Sequence, residues 1–118
     1  MKLDFAHGYC HALSCALLDL APAGEVLGLF LGPGDDCIHS IFRVPQTQIY
    51  LDAGGAASGP HALFLKARPY VWPGEDGFSW RPLTEEQVWR FVPGGWAGDK
   101  RRLIATAKRL ARTLLAKT

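Results

Sequence analysis

The chain has no apolar run long enough to span a bilayer. Its first residues place an acid and a histidine, Asp4 and His7, where a signal peptide needs an unbroken apolar stretch. It is therefore expected to be cytoplasmic, with no signal peptide and no transmembrane segment. Cysteine is scarce and odd in number, three in 118 residues, and no C-x-x-C knuckle occurs. That count argues against a disulfide framework, and reduced thiols are expected. Internal repeats, low-complexity tracts and linkers are also missing, so residues 1–118 read as one domain with a single core. Acidic residues are missing from one end. Beyond Asp99 there are seven basic residues and no acid, whereas residues 1–99 carry six basic and eleven acidic side chains. The result is an acidic body with a basic tail.

The pattern of what is present predicts an α+β fold. In "YCHALSCALLDL" (9–20), Leu13, Leu17 and Leu20 fall at helical spacing, and Pro22 and Gly24 close the segment. "EVLGLFLG" (25–32), "CIHSIFRV" (37–44) and "QIYLDA" (48–53) read as three strands of an antiparallel meander packed on that helix. Residues 54–59 read as a small, flexible segment, 61–67 as a fourth strand and 67–82 as a loop. "LTEEQVWRFV" (83–92) carries a capping box, with Thr84 as the cap, Gln87 as its partner and Leu83 stapling onto Val88. Asp99 is expected to cap a final basic amphipathic helix from Lys100 to about Lys117. The apolar stripe of that helix would be Leu103, Ile104, Ala107, Leu110, Ala111, Leu114 and Leu115.

The chemistry is concentrated in the first half. A thiol attacks only as thiolate, and a helix N-terminus favours the anion. Cys10 opens the first helix, three residues before Leu13 and seven before Leu17, so it heads the inward face, while Cys15 points away from that line. His39 on the second strand can serve as base and acid, and Asp52 at the end of the third can orient it. A loop of two or four residues at Pro45 would set Arg43 opposite Gln48 and His39 opposite Asp52, on one face of the sheet. A six-residue loop would keep the same parity, whereas an odd loop without a bulge would put the two on opposite faces. His7 and His11 flank the cysteine as reserve bases, though partly exposed neutral side chains are the plainer expectation.

"GYC" at a helix start, a histidine on a following strand and "YLDAGG" closing the next strand resemble the papain-like and transglutaminase-like cysteine enzymes. The likeness is closest to their small bacterial and phage members. The histidine strand followed by one ending in "D-x-G" is also similar to the arylamine N-acetyltransferases. The resemblance covers residues 7–56 and implies a minimal papain-like fold acting on a protein or peptide without a cofactor. It makes Cys10 the nucleophile, His39 the general base and acid, and Asp52 the orienting residue.

Two other readings compete. Cys10, Cys15, Cys37 and His39 offer four zinc ligands, but a helical i, i+5 cysteine pair diverges. A non-catalytic protein would instead bind an anionic partner, an acidic protein or nucleic acid, through Lys100, Arg101, Lys108, Arg112 and Lys117 of the last helix. No nucleic-acid-binding motif accompanies those residues.

Overall fold

A computed structural model describes residues 10–31, 37–59, 78–92 and 97–118. In chain order these form α1 (Cys10–Leu20), β1 (Glu25–Leu31), β2 (Cys37–Arg43), β3 (Tyr50–Asp52), β4 (Gly55–Ala57), β5 (Phe78–Leu83), α2 (Glu85–Phe91) and α3 (Ala97–Ala116). The fold is α+β, with an N-terminal helix, an antiparallel sheet and C-terminal helices. The strands lie in the order β4-β3-β2-β1-β5.

The expected meander is the centre of this sheet, and both its edges differ from expectation. The small residues after Gly54 return as β4, with Asp52 paired to Gly55 across a two-residue turn where Gly55 has φ 117°. That conformation suits glycine, so the segment makes a tight hairpin and not a flexible link. At the other edge, residues read as loop form β5, antiparallel to β1 from Val26↔Leu83 to Leu31↔Phe78. Pro82 lacks an N–H and argues against a strand by sequence, but β5 is the last of the described strands, and proline is tolerated at the margin of a sheet. The strand expected over 61–67 lies outside the described residues.

Helix α1 is more enclosed than an amphipathic helix on a sheet requires. Cys10, His11, Ala12, Leu13, Ser14, Ala16 and Leu17 are all buried. The sheet packs on it from one side, chiefly through β2, and α3 packs on it from another. Leu13, Ala16 and Leu17 join Val26, Phe30, Phe42, Leu51, Leu83, Val88, Ala107, Ala111 and Leu114 in one core. Gly28 of β1 faces this core. A Cβ there would come within 2.9 Å of Cys37 Sγ and 2.8 Å of a Leu83 methyl.

The capping box on α2 is present as read. Thr84 Oγ1 accepts from the Gln87 N–H at 3.2 Å, and the Gln87 side chain accepts from the Thr84 N–H at 2.8 Å. Leu83 and Val88 are both buried in the core beside it. Helix α3 begins at Ala97, so Asp99 sits inside the first turn and does not cap it. An acid there still favours the helix through the macrodipole. The apolar stripe of α3 packs inward at Ala107, Ala111 and Leu114, with Ile104, Leu110 and Leu115 at its margins. Among the described residues no helix is long and apolar enough to cross a membrane.

Thr84→Ala removes one of the two reciprocal bonds of the capping box. It is expected to destabilise the domain by about 1 kcal/mol, seen as a melting temperature lower by roughly 4 °C.

Candidate active site

Three buried polar side chains meet where α1 ends on the sheet. Cys10 is the first residue of α1, where backbone N–H groups have no acceptor within the helix. His39 lies in β2 and is fully buried, and Asp52 closes β3 at 2% exposure. His39 Nε2 is 3.3 Å from Asp52 Oδ2. The Cys10 thiol and the His39 imidazole lie close enough for each to shift the other's pKa. All three residues singled out from the sequence are therefore brought together.

The expected register is corrected in one respect. Arg43 pairs with Tyr50 and Phe42 with Leu51, so the partners lie two residues further on than an Arg43–Gln48 pairing. Carried one step further, this register sets Asp52 opposite Ile41 and makes His39 its diagonal neighbour. Parity is unchanged, so His39 and Asp52 still share a face. The loop explains the shift. Val44 to Thr47 closes as a turn, with the Thr47 N–H donating to the Val44 carbonyl at 3.2 Å, Pro45 second and Gln46 third at φ 61°. Proline followed by a positive-φ residue is the arrangement of a type II turn. Thr47 Oγ1 then donates to the Val44 carbonyl and accepts from the Ile49 N–H, which absorbs two more residues before the ladder resumes.

A second irregularity lies beside the histidine. Leu29 pairs with His39 but Phe30 pairs with Cys37, leaving Ile38 as an extra residue on β2. A bulge re-aims the side chains next to it. Cys37 Sγ donates to the His39 carbonyl at 3.3 Å across this bulge.

Asp52 has two tasks, one for each oxygen. Oδ1 accepts from the Gly54 N–H at 2.7 Å and shapes the β3–β4 turn, while Oδ2 holds His39. The turn role and the orienting role are not alternatives here.

The electrostatics separate the three thiols. Burial alone would push the Cys10 thiol up, but hydrogen bonds and positive charge from His11 and His39 outweigh it and bring its pKa to about 5. Burial would likewise lower His39, yet the bond to Asp52, then the bond to Cys10 and the charges of both, raise it to about 9. Cys15 is pushed up to about 12 by burial and by Glu85 and Asp19. Cys37 is pushed up to about 11 by burial and the nearby Cys10 charge, against a hydrogen bond to backbone. At neutral pH the site therefore holds a thiolate beside an imidazolium, and the other two cysteines are protonated.

Among the described residues no group of three or more His, Cys, Asp or Glu could hold a metal ion, so Cys10, Cys15, Cys37 and His39 do not form the zinc set their count allowed. His7 lies outside the described residues. His11, expected to be partly exposed, is buried at 7% exposure. Its Nδ1 lies 2.9 Å from Ser40 Oγ, which lies 2.8 Å from Ser14 Oγ. The sequence reading missed this trio. The available signal was a histidine and a serine at i, i+3 on a helix that is otherwise Ala, Leu and Cys up to Asp19, where polar groups need partners once buried.

No protein-family model, curated protein or solved structure matches the chain, so the site is read from its own geometry.

Iodoacetamide at pH 6 is expected to alkylate Cys10 and leave Cys15 and Cys37 unmodified, as peptide mass spectrometry would show. Asp52→Asn should keep the turn, because an amide oxygen also accepts from the Gly54 N–H. Loss of the carboxylate should lower the His39 pKa from about 9. A raised histidine pKa contributes stability below its unfolded value and loses it as pH rises through the folded one. The melting-temperature deficit of Asp52→Asn should accordingly be largest below about pH 6.5 and fade above about pH 9.

Proposed function

We propose that this chain is a cysteine hydrolase or acyltransferase of papain-like or transglutaminase-like type, acting on an amide or thioester of a protein or peptide. The reading rests on one observation above all. The thiol at the start of α1 lies beside a buried imidazole that an aspartate holds at 3.3 Å, and of the three thiols it alone has its pKa lowered.

In this mechanism the Cys10 thiolate adds to the carbonyl carbon. The oxyanion that forms is received by N–H groups at the helix N-terminus. His39 has its Nε2 on Asp52, so it works through Nδ1. That nitrogen gives its proton to the departing amine or thiol as the carbon–leaving-group bond breaks, leaving a thioester on Cys10. Neutral His39 then takes a proton from water, whose oxygen attacks the thioester. The carbon–sulfur bond breaks, its electron pair stays on sulfur, and the thiolate–imidazolium pair is restored. Water as acceptor gives peptidase, amidase or deamidase chemistry, and an amine gives acyl transfer. Asp52 keeps the ring oriented and favours its charged form. The reduced thiols this requires suit a cytoplasmic setting.

A second reading has its own observation. Arg101, Arg102, Arg109 and Arg112 are exposed on α3, whose apolar side is already packed, so an acidic protein or nucleic acid has a basic surface to bind. Such a protein has no use for a low-pKa thiol, and Cys10 reactivity separates the two.

p-Nitrophenyl acetate serves as an activated acyl donor. A burst of one nitrophenolate per chain, with an acetyl adduct on Cys10, is expected from the wild type. Cys10→Ala should give none and Cys15→Ala a full burst. The burst rate should follow a bell over pH, rising through about 5 as the thiol ionises and falling through about 9 as His39 loses its proton. A burst that survives in Cys10→Ala would remove the enzyme reading.

A further inference from the structure

His11 is a buried titratable group that the reaction above leaves without a task. It follows the nucleophile directly in α1, and the Phe91 ring lies over it at 5.3 Å between centroids. Ser14 and Ser40 are as buried as the histidine, at 2% and 1% exposure. Three polar side chains in an apolar helix–sheet contact cost free energy unless they bond to one another, and they do, in a chain running Ser14–Ser40–His11. That chain ends beside the nucleophile, because His11 is the residue next to Cys10 in α1 and its ring helps to lower the thiol's pKa. Ser40 follows His39 in β2. Consecutive residues of one strand thus serve the same sulfur, His39 directly and Ser40 through His11.

We propose that His11 is a second imidazole donor to the Cys10 thiolate, with Ser40 and Ser14 as the positioning residues that hold its ring in place. The inference rests on reading Cys10 as the nucleophile. Each serine hydroxyl can turn to donate or accept, so His11 Nδ1 keeps a partner whether or not it carries a proton. Two donors from different elements then share the sulfur's negative charge, and the anion does not depend on His39 alone. When the carbon–sulfur bond of the acyl-enzyme breaks, the leaving thiolate is received by both rings. Among the described residues, Cys37 on β2 also feels the Cys10 charge, Arg81 on β5 acts on Cys37, and Asp52 on β3 holds His39.

The test is a pH titration of the thiolate ultraviolet absorbance, taken as the difference from Cys10→Ser and needing no substrate. Wild type, His11→Gln, Ser40→Ala and His39→Gln are compared, with circular dichroism confirming the fold. His11→Gln is expected to raise the midpoint by at least about one pH unit, a tenfold loss of thiolate at a given pH. Ser40→Ala should raise it by less, and His39→Gln should still titrate below an ordinary thiol. If His11→Gln does not fold, Ser40→Ala decides. A low wild-type midpoint that neither variant moves overturns the role of His11 and leaves the nucleophile standing. A wild-type thiol titrating at its ordinary value overturns the nucleophile reading and this one together.

Discussion

A thiolate buried at 5% exposure has lost nearly all its hydration, and positive charge and hydrogen-bond donors must replace it within bonding distance. That single requirement organises the folded chain around Cys10. The helix N-terminus supplies unpaired N–H groups and β2 supplies an imidazole. The end of β3 supplies the carboxylate that keeps this imidazole charged although it is itself fully buried. Neither partner would be ionised alone in such a place. Burial acts against the charged form of both the thiol and the ring, and only their mutual contact with Asp52 and His11 reverses it.

The scaffold meets this demand through local departures from regular structure. The bulge at Ile38, the type II turn at Pro45–Gln46 and the Asp52–Gly55 hairpin all lie on the two strands that carry the histidine and the aspartate. Each fixes a register that side-chain alternation alone would leave free to slip. Asp52 shows the economy of this arrangement. One oxygen shapes the turn that ends its own strand, and the other orients a ring on the neighbouring strand. The helices contribute rigidity. With β2 on one side and α3 on the other, α1 has little room to shift, and the thiol at its end is positioned by a packed core. The pairing of Lys108 with Asp19 ties the basic helix to α1 outside that core.

Much of this was legible in the residues. The helix at 10–20, the first three strands, the capping box at Thr84 and the apolar stripe of α3 follow from periodicity and capping chemistry, which act over a few residues. Cys10, His39 and Asp52 were found the same way, through a thiol at a helix start and the period-2 parity of a hairpin. Parity tolerates an error of two residues, which is why His39 and Asp52 share a face although their register was misplaced. Strand β5 was missed because Pro82 marks a breaker by sequence, and only its place beside β1 makes it acceptable. Strand β4 was missed because glycine and alanine carry no strand signal without a partner to pair with.

The sequence by itself determined where the helices begin, which strand residues alternate together and which cysteine could be a thiolate, because these depend on neighbours within a turn or two of the chain. It could not determine that α1 would be covered on both sides, since that depends on α3 folding back across almost ninety residues of separation. It follows that the burial of His11 and its bonds to Ser40 and Ser14 were tertiary decisions. Whether a histidine is solvated or buried in a hydrogen-bonded trio is settled by what packs over it, here Phe91 and β2, and neither is near it in the chain.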